Sequence, residues 1–398
     1  MLQDEERLYI INTYNRQPGQ NLWLVRGKGT LVYDENGKEY LDFVGGLAVN
    51  ALGHCYPPVV AAAKEQMQKL LHTSNLYYTE PQVKLAKCLV ENSQADKVFF
   101  CNSGAEANEA AIKLARKYAK MHAGEEKFEI ITALRSFHGR TLATLTATGQ
   151  EKFHKGFAPL LPGFRYAEFN NLASFQSQIN EHTCAILVEP VQGEGGIFVA
   201  EKEFLQGLRH LCDEHGLLLI LDEVQSGMGR TGKLFAHEHY DIVPDIFTLA
   251  KALGGGFPIG AMLCTGEVAK GFAPGDHAST FGGNPVICAA SLAVLQTLLQ
   301  EGFLDTVLSK GAYLLEKLLA LQKDHPGFIK EVRGKGLMIG VGIAEGSPRI
   351  REICQEKGLL VNSIGDNTLR LLPSLNVTEA EIDAAQEIIG AAVAQYLY

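Results

Sequence analysis

One lysine stands between a short apolar run and three successive glycines in the stretch Pro244-Asp245-Ile246-Phe247-Thr248-Leu249-Ala250-Lys251-Ala252-Leu253-Gly254-Gly255-Gly256-Phe257-Pro258. The apolar run predicts a buried strand, and the lysine follows the carboxyl end of that strand. Apolar surroundings disfavour a charged amine, so we expect the pKa of Lys251 to be lowered toward that of a neutral nucleophile. Lys251 is therefore a candidate covalent anchor for a cofactor, and the ordinary alternative is a solvated lysine at a strand end.

Short apolar runs alternate with amphipathic helical patterns along most of the chain. The predicted strands are 97–101, 128–132, 184–189, 217–222, 246–250 and 259–264. This alternation predicts an α/β fold with a mainly parallel, buried sheet and helices on both faces. After Pro285 the pattern becomes helical, and strands near 330–343 and 359–372 with a final helix from Glu379 predict a smaller α+β lobe.

The chain is long enough for one large domain and a smaller one. It has 398 residues, of which 46% are hydrophobic and 20% charged, as is usual for a globular protein. We expect residues 1–50 to pack with the small domain, residues 51–285 to form a large cofactor-binding domain, and residues 286–398, with the connecting helix, to form the C-terminal small domain. The turn Asp-Glu-Asn-Gly at 34–37 predicts a hairpin near the start of the chain.

Charge, cysteine content and hydropathy exclude several classes of protein. The net charge is -9 without a block of like charges, which argues against a nucleic-acid or membrane-surface partner. Eight cysteines occur without CxxC or metal-type spacing, so we expect reduced thiols and no metal site. The acidic N-terminus lacks the order of a signal peptide, and no apolar run approaches the roughly 18 residues of a membrane span. We therefore expect a cytoplasmic protein.

A turn of small residues follows the predicted strand 97–101 and opens an alanine-rich helix. The exposed amides of Gly104 and Ala105, with the Ser103 hydroxyl, would form a cradle for phosphate. Ser103 and Glu106 also have the spacing of an ordinary capping box. A cap and a cradle use different donors, so both interpretations can hold.

Three further groups follow predicted strands, at the sheet edge where open α/β proteins bind ligands. Asp222 ends an apolar strand, where a carboxylate needs a partner such as a pyridinium nitrogen; the alternative is a buried capping aspartate. Phe137 could stack on a flat ring and Arg140 could bind a carboxylate, although core packing and a surface ion pair are the ordinary alternatives. The hydroxyl and glycine loop 279–285 could bind phosphate or form a simple turn.

Together these groups specify pyridoxal phosphate. This cofactor requires a lysine for its aldehyde, an acid for its ring nitrogen, a stacking aromatic ring, and amides or hydroxyls for its phosphate. Lys251, Asp222, Phe137 and the turn at 103–105 supply that set.

The sequence resembles the class III (ω-amino acid) aminotransferases over nearly the whole chain. The resemblance runs from Gly-Lys-Glu-Tyr-Leu-Asp-Phe at 37–43 and Gly-Gly-Leu-Ala-Val-Asn-Ala-Leu-Gly-His at 45–54 to Arg-Leu-Leu-Pro at 370–373. It implies the type I fold of pyridoxal-phosphate-dependent transferases, with a mainly parallel seven-stranded sheet. It also implies a homodimer with shared active sites, because Thr280 would reach the phosphate of the neighbouring subunit.

The resemblance implies roles for individual residues. Lys251 would carry the cofactor and then move the substrate proton, Asp222 would keep the ring nitrogen protonated, and Gln225 would bind the ring hydroxyl. His138 is interpreted as a packing or stacking residue. The implied cofactor-binding set is Ser103, Gly104, Ala105, Phe137, Asp222, Glu223, Val224, Gln225, Lys251 and Thr280.

Two arginines are the implied substrate-binding residues. Arg140, with Ser279, would hold the carboxylate far from the reacting amine. Arg370 would hold the carboxylate next to the reacting carbon of 2-oxoglutarate. Glu194 would mask Arg370 while the amino donor is bound and then swing away; the alternative for Glu194 is a solvated loop acid.

The implied reaction moves the δ-amino group of N2-acetyl-L-ornithine to 2-oxoglutarate, giving N-acetyl-L-glutamate 5-semialdehyde and L-glutamate in arginine biosynthesis. Relatives with the same machinery act on succinylornithine, succinyl-diaminopimelate, ornithine or 4-aminobutyrate. An aminomutase of the same fold and a cofactor-binding protein without catalysis are the other classes considered. The paired arginines argue against the first, and Lys251 with Asp222 argues against the second.

Overall fold

The computed structural model describes residues 2–14 and 22–398. The strands are β1 Leu24–Lys28, β2 Leu31–Asp34, β3 Glu39–Asp42, β4 Lys97–Cys101, β5 Glu129–Ala133, β6 Phe164–Ala167, β7 Thr183–Val188, β8 Val191–Gln192, β9 Phe198–Val199, β10 Leu218–Asp222, β11 Ile246–Leu249, β12 Gly260–Cys264, β13 Ile329–Lys335, β14 Met338–Ile343, β15 Leu359–Leu360, β16 Asn362–Ile364 and β17 Thr368–Leu371. The α-helices are α1 Leu2–Tyr9, α2 Gly45–Ala48, α3 Pro57–Met67, α4 Glu80–Glu91, α5 Gly104–Ala123, α6 Leu142–Ala147, α7 Glu151–His154, α8 Leu172–Gln178, α9 Lys202–His215, α10 Gly266–Ala269, α11 Pro285–Leu298, α12 Phe303–Asp324, α13 Ser347–Glu356 and α14 Glu379–Leu397. Two 3₁₀-helices cover Ala236–Tyr240 and Lys251–Gly254.

The central sheet has seven strands in the order β4-β12-β11-β10-β7-β5-β6. Neighbours are parallel except at β12, which runs antiparallel to both β11 and β4. The expected mainly parallel seven-stranded α/β sheet is thus confirmed. The residue-level patterns predicted six of these strands; the seventh, β6, was missed because it has four residues and includes Arg165, whose Nε donates to Glu129 at 2.6 Å.

Helices cover both faces of this sheet, which explains why its inner strands are mostly apolar. On one face the alanine-rich helix α5 packs its buried side on Ile130, Ile220 and Ile246. On the other face α9 contributes buried leucines to a larger core. β7, β10, β11 and β12 are buried at every residue. This burial holds the strand ends, and the side chains that follow them, in fixed positions.

The start and the end of the chain meet in a second sheet with the order β1-β2-β3-β15. β2 and β3 form the expected antiparallel hairpin, and β3 pairs in parallel with β15, with Leu41 opposite Leu359. A third, antiparallel sheet has the order β13-β14-β17-β16, and α12, α13 and α14 pack against this part of the chain. The limits 1–50, 51–285 and 286–398 stay a prediction, and positions 1 and 15–21 of the first segment lie outside the described residues.

The remaining sequence expectations concern thiols, metals and membranes. All eight cysteines are free thiols, and all but Cys55 and Cys88 are buried. Residues 2–14 and 22–398 contain no cluster of histidine, cysteine and acidic side chains that could hold a metal ion. Within the same residues no single helix is long and apolar enough to cross a membrane, although α11 and α12, bent by 73°, meet the length and composition criterion as a pair.

Candidate active site

A cavity of about 450 Å³ opens where the central strands end, which is the position at which open α/β sheets bind ligands. Loops that follow β4, β5, β10 and β11 form its walls. The candidate residues that line it are Ser103, Gly104, Ala105, Phe137, Arg140, Asp222, Val224, Gln225 and Lys251. The structure therefore brings together groups that are spread over 149 positions of sequence, from 103 to 251.

Lys251 begins a 3₁₀-helix, is separated from the end of β11 by one residue, and is partly buried. Its φ of 44° lies in the left-handed region, which is unusual for a residue other than glycine. Burial lowers the pKa of the Lys251 amine below its ordinary value, and the attraction of Glu194 only partly offsets this effect. A lysine with a lowered pKa at the base of a cavity is suited to form a Schiff base with an aldehyde.

Asp222 is the last residue of β10 and is buried. Its Oδ1 accepts a hydrogen bond from the amide of Val224 at 3.0 Å. Its Oδ2 accepts from Asn108 Nδ2 at 2.7 Å and from His138 Nδ1 at 2.8 Å. These donors hold the Asp222 carboxylate in place beside the cavity, where it could face a pyridinium nitrogen. His138 is therefore a hydrogen-bonding partner of Asp222, and the interpretation as a packing or stacking residue was incomplete.

The start of α5 contributes backbone donors to the cavity. The Ser103 hydroxyl accepts from the amide of Glu106 at 3.2 Å, so the capping interaction is present. Within the described part of the chain the amides of Gly104 and Ala105 have no acceptor. A methyl group on Gly104 would lie 2.6 Å from Val224 Cγ1, so only glycine leaves this space open. Free amides at a helix N-terminus fit a phosphate group.

Phe137 and Arg140 stand at the mouth of the cavity. The amide of Phe137 donates to Glu189 at 3.1 Å, and its ring meets Phe153 edge to face with centroids 5.5 Å apart. The Arg140 guanidinium lies 4.3 Å from the centre of the Phe153 ring and is exposed. No acid among the described residues lies within ion-pair distance of Arg140, which leaves its charge available to a ligand.

Glu194 and Arg370 form an ion pair beside the cavity. Arg370 Nη1 donates to Glu194 at 2.5 Å and to Gln225 at 3.3 Å, and Nη2 donates to Asn362 at 2.9 Å. Arg370 is only 1% exposed. Burial alone would raise the pKa of Glu194, but the Arg370 charge and hydrogen bond outweigh it and hold that pKa below its ordinary value. The pair keeps a buried guanidinium neutralised.

Glu189 is a buried acid in the cavity wall that the sequence patterns did not identify. Its two oxygens accept from the amides of Phe137 at 3.1 Å and Gly193 at 3.2 Å. Burial, followed by the nearby charge of Asp222, raises its pKa well above the ordinary value. The sequence does contain a signal for this residue. Glu189 is an acid directly after the wholly buried strand β7, just as Asp222 is an acid at the end of β10.

Three candidates lie away from this cavity. Ser279 and Thr280 line a different cavity with residues that follow α3. Ser279 is connected to the phosphate cradle indirectly, because Asn102 Nδ2 donates to its hydroxyl at 3.2 Å. The Glu223 carboxylate is occupied by the amides of residues 236 and 237 and by His237 Nδ1. Contacts of Thr280 and Glu223 with the cofactor stay predictions.

The family model for aminotransferase class III matches residues 13–393. The chain belongs to the class III aminotransferases. It is 55% identical to the acetylornithine aminotransferase of Caldanaerobacter subterraneus, covering 96% of this chain and 97% of that protein. It is 53% identical to the acetylornithine aminotransferase of Methanocaldococcus jannaschii, covering 96% and 95%.

Solved structures of aminotransferases have the same fold. The ornithine aminotransferase of Toxoplasma gondii superposes with a TM-score of 0.94 at 31% identity, covering 99% of this chain and 94% of that one. The N-acetylornithine aminotransferase of Stenotrophomonas maltophilia superposes with a TM-score of 0.84 at 38% identity, covering 99% of both chains. These neighbours confirm the type I fold.

Class III aminotransferases depend on pyridoxal phosphate, so the expected cofactor and the expected reaction type are confirmed. The residues of the cavity fit this cofactor. A lysine with a lowered pKa, a buried aspartate and free helix amides are at hand for the aldehyde, the ring nitrogen and the phosphate. This class III aminotransferase therefore uses an amino donor and a keto-acid acceptor.

Proposed function

We propose that this enzyme transfers the δ-amino group of N2-acetyl-L-ornithine to 2-oxoglutarate, giving N-acetyl-L-glutamate 5-semialdehyde and L-glutamate in arginine biosynthesis. The observation that carries the proposal is the Glu194–Arg370 pair at 2.5 Å beside a cavity that Arg140 also lines, with no acid among residues 2–14 and 22–398 paired to Arg140. Relatives at 53% and 55% identity that are acetylornithine aminotransferases support the choice of donor.

Each substrate presents a different group to Arg370. The donor brings an uncharged methylene next to its reacting amine, and a free guanidinium beside that methylene would lose its hydration without gaining a partner. Glu194 provides the partner in this half-reaction. 2-Oxoglutarate brings a carboxylate to the same place, which binds Arg370 directly once Glu194 has moved. Arg140, with help from Ser279, holds the distant carboxylate of either substrate.

Lys251 and Asp222 perform the proton chemistry in this proposal. Pyridoxal phosphate, when bound, supplies an electron sink for the carbon that loses its proton. The Lys251 amine, whose pKa is lowered by burial, would accept that proton and deliver it to the cofactor end of the reacting system. Asp222, held by Asn108 and His138, would pair with the ring nitrogen and favour its protonated form. The amides of residues 104 and 105 would hold the cofactor phosphate.

The active enzyme is proposed to be a cytoplasmic homodimer, divided into the domains expected from the sequence. Thr280 is exposed and lines a cavity separate from the one that contains Lys251. If Thr280 contacts a cofactor phosphate, that phosphate would therefore have to be bound to a second copy of the chain. Leu76, Tyr77 and Tyr78, near the same cavity, are also exposed, and an exposed apolar group of this kind is typical of a protein interface.

Stopped-flow absorbance of the cofactor-loaded enzyme tests the donor without any acceptor present. The enzyme is mixed in turn with N2-acetylornithine, ornithine, succinylornithine and 4-aminobutyrate. The expected result is that N2-acetylornithine converts the absorbance band of the lysine-bound cofactor fastest and that 2-oxoglutarate restores it. Faster conversion by another amine would reject the proposed donor, and activity on one substrate without an acceptor would indicate an aminomutase.

A further inference from the structure

A second cavity, of about 490 Å³, lies next to Glu194. Glu194 stands between the two cavities, because it lines this one while its carboxylate binds Arg370, which also contacts Gln225 in the catalytic wall. The second cavity is rich in cations. The charged residues that line it are Arg135, Lys152, Lys330, Arg333, Glu194 and Glu331.

Three of these cations, Arg135, Lys152 and Lys330, have no carboxylate within ion-pair distance among the described residues. Of the three, Arg135 is the one whose backbone lies against the Glu194 loop. Its guanidinium lies 4.7 Å from the centre of the Phe198 ring, and that of Arg333 lies 4.3 Å from the same ring. Arg333 already pairs with Glu331 and donates to the Gly196 carbonyl at 2.8 Å. For Arg135, no carboxylate in the described chain lies within ion-pair distance.

The segment that carries Glu194 passes directly over Arg135. A methyl group on Gly195 would lie 2.6 Å from the Arg135 carbonyl oxygen, so a larger residue at 195 would collide with the backbone there. Gly196 has a φ of 120°, in the region that favours glycine. Glu194 thus lies on a glycine-flanked loop, with Arg370 on one side and the cationic cavity on the other.

A carboxylate that leaves a buried guanidinium needs a new partner, because an unpaired charge in a partly buried position is costly. The proposed function requires Glu194 to leave Arg370 whenever 2-oxoglutarate binds. We propose that the cavity lined by Arg135, Lys152 and Arg333 receives the Glu194 carboxylate at that moment, with Arg135 as the positioning residue that pairs with it. This inference rests on the proposed function.

The test uses cofactor-loaded enzyme and glutarate, a dicarboxylate of the same length as 2-oxoglutarate that has no keto group to react. Calorimetry gives the dissociation constant of glutarate for the wild type and for Arg135→Gln. We expect Arg135→Gln to weaken glutarate binding about fivefold, the scale of one partly exposed ion pair, and to slow the 2-oxoglutarate half-reaction similarly. The donor half-reaction should not slow, since Glu194 stays on Arg370 there.

Three comparisons separate this role from general charge effects. Arg135→Lys keeps the charge and should bind glutarate nearly as the wild type does. Lys323→Gln removes the same charge from the exposed face of α12 and should have no effect. The Glu194→Gln variant has no carboxylate at residue 194 that could move to Arg135. In that variant, Arg135→Gln should therefore leave the dissociation constant of glutarate unchanged.

Several results would overturn the inference. One is an unchanged glutarate affinity in Arg135→Gln, and another is an equal loss in the Glu194→Gln background, which would mean that Arg135 attracts the dicarboxylate itself. If N2-acetylornithine proves not to be the donor, the glutarate comparison still applies because it uses no donor. A wild-type enzyme that binds no dicarboxylate would reject both the acceptor and the inference.

Discussion

The position of the Lys251 amine in the cavity lowers the free energy of unfolding of the protein. Its left-handed φ and its burial are both unfavourable for a lysine. Lys251→Met keeps an unbranched side chain, shorter only by the terminal atom, and removes the desolvated amine. We expect the free energy of unfolding of the cofactor-free protein to rise by about 1 kcal/mol, while aminotransferase activity is lost. Urea unfolding with Lys323→Met as the control measures this, and a decrease in the free energy of unfolding would contradict it.

The same amine makes stability depend on pH in a defined direction. Because the pKa of Lys251 is lower in the folded chain than in the unfolded one, the unfolded chain binds more protons between the two values. Stability from this group therefore rises with pH until the ordinary lysine value of about 10.4 is reached. The difference in free energy of unfolding between the cofactor-free wild type and Lys251→Met should shrink as the pH is raised through this range. A constant difference would show that the amine is not desolvated.

Asp222 is surrounded by donors, so its charge and its acceptor geometry both matter. In Asp222→Asn one oxygen becomes an amide nitrogen that faces Asn108 Nδ2 and His138 Nδ1, or the amide of Val224. We expect a loss of about 1–3 kcal/mol in unfolding free energy from the unsatisfied donor. Activity should fall by about 10²-fold or more because the ring nitrogen loses its anionic partner. Activity assays and thermal unfolding of the variant give both values, and retained activity would refute the role assigned to Asp222.

Site residues could be predicted from the sequence where the evidence lies in the residues next to them in the chain. Lys251 and Asp222 each stand at the end of an apolar run, and the sequence shows this directly. The donors that hold Asp222 could not be found in this way, because Asn108 is 114 residues away and His138 is 84 residues away. Hydrogen bonds of this kind depend on which strand ends become neighbours in the sheet.

At the scale of the element, the first turn of α5 combines a cap with free amides. A methyl group on Gly104 would lie 2.6 Å from Val224 Cγ1, which must then move. We expect Gly104→Ala to weaken the binding of pyridoxal phosphate by about 10-fold, since a shift of the amides disturbs charge-assisted hydrogen bonds. Titration of the cofactor-free protein with pyridoxal phosphate measures this.

Gly390→Ala is the matched control for that variant. Gly390 lies inside α14, where an added methyl group approaches only the end of the Leu321 side chain, at 3.1 Å. Cofactor affinity should be unchanged there. Equal affinity in wild type and Gly104→Ala would mean that the helix start does not bind the phosphate.

The sequence predicted long, apolar elements better than short or polar ones. The buried strands β7, β10, β11 and β12 are apolar apart from Thr183, Asp222 and Thr248, and the patterns located them to within one or two residues. β6 lies at the sheet edge and lacks such a run, because it contains Arg165. The other edge strand, β4, contains an apolar run at 98–101 and was located from the sequence, so the polar residue and the short length of β6 account for the miss.

At the scale of the whole molecule, sharing of sites between subunits can be tested by complementation. If Thr280 serves the neighbouring site, Thr280→Asp should weaken the cofactor there by repulsion of the phosphate, and Lys251→Met should inactivate its own site. When the two inactive variants exchange subunits, roughly a quarter of all sites would contain an intact Lys251 and Thr280. Recovery of about that fraction of wild-type activity is expected, and no recovery after proven exchange would exclude the shared site.

The pairing of β3 with β15 has a consequence for synthesis of the chain. Leu41 lies opposite Leu359, so the sheet that contains the first strands stays incomplete while more than three hundred intervening residues are added. A ribosome therefore releases the hairpin β2–β3 early, with one edge unpaired, and supplies its partner only near the end of translation. Until then that edge is open to wrong pairing with other strands.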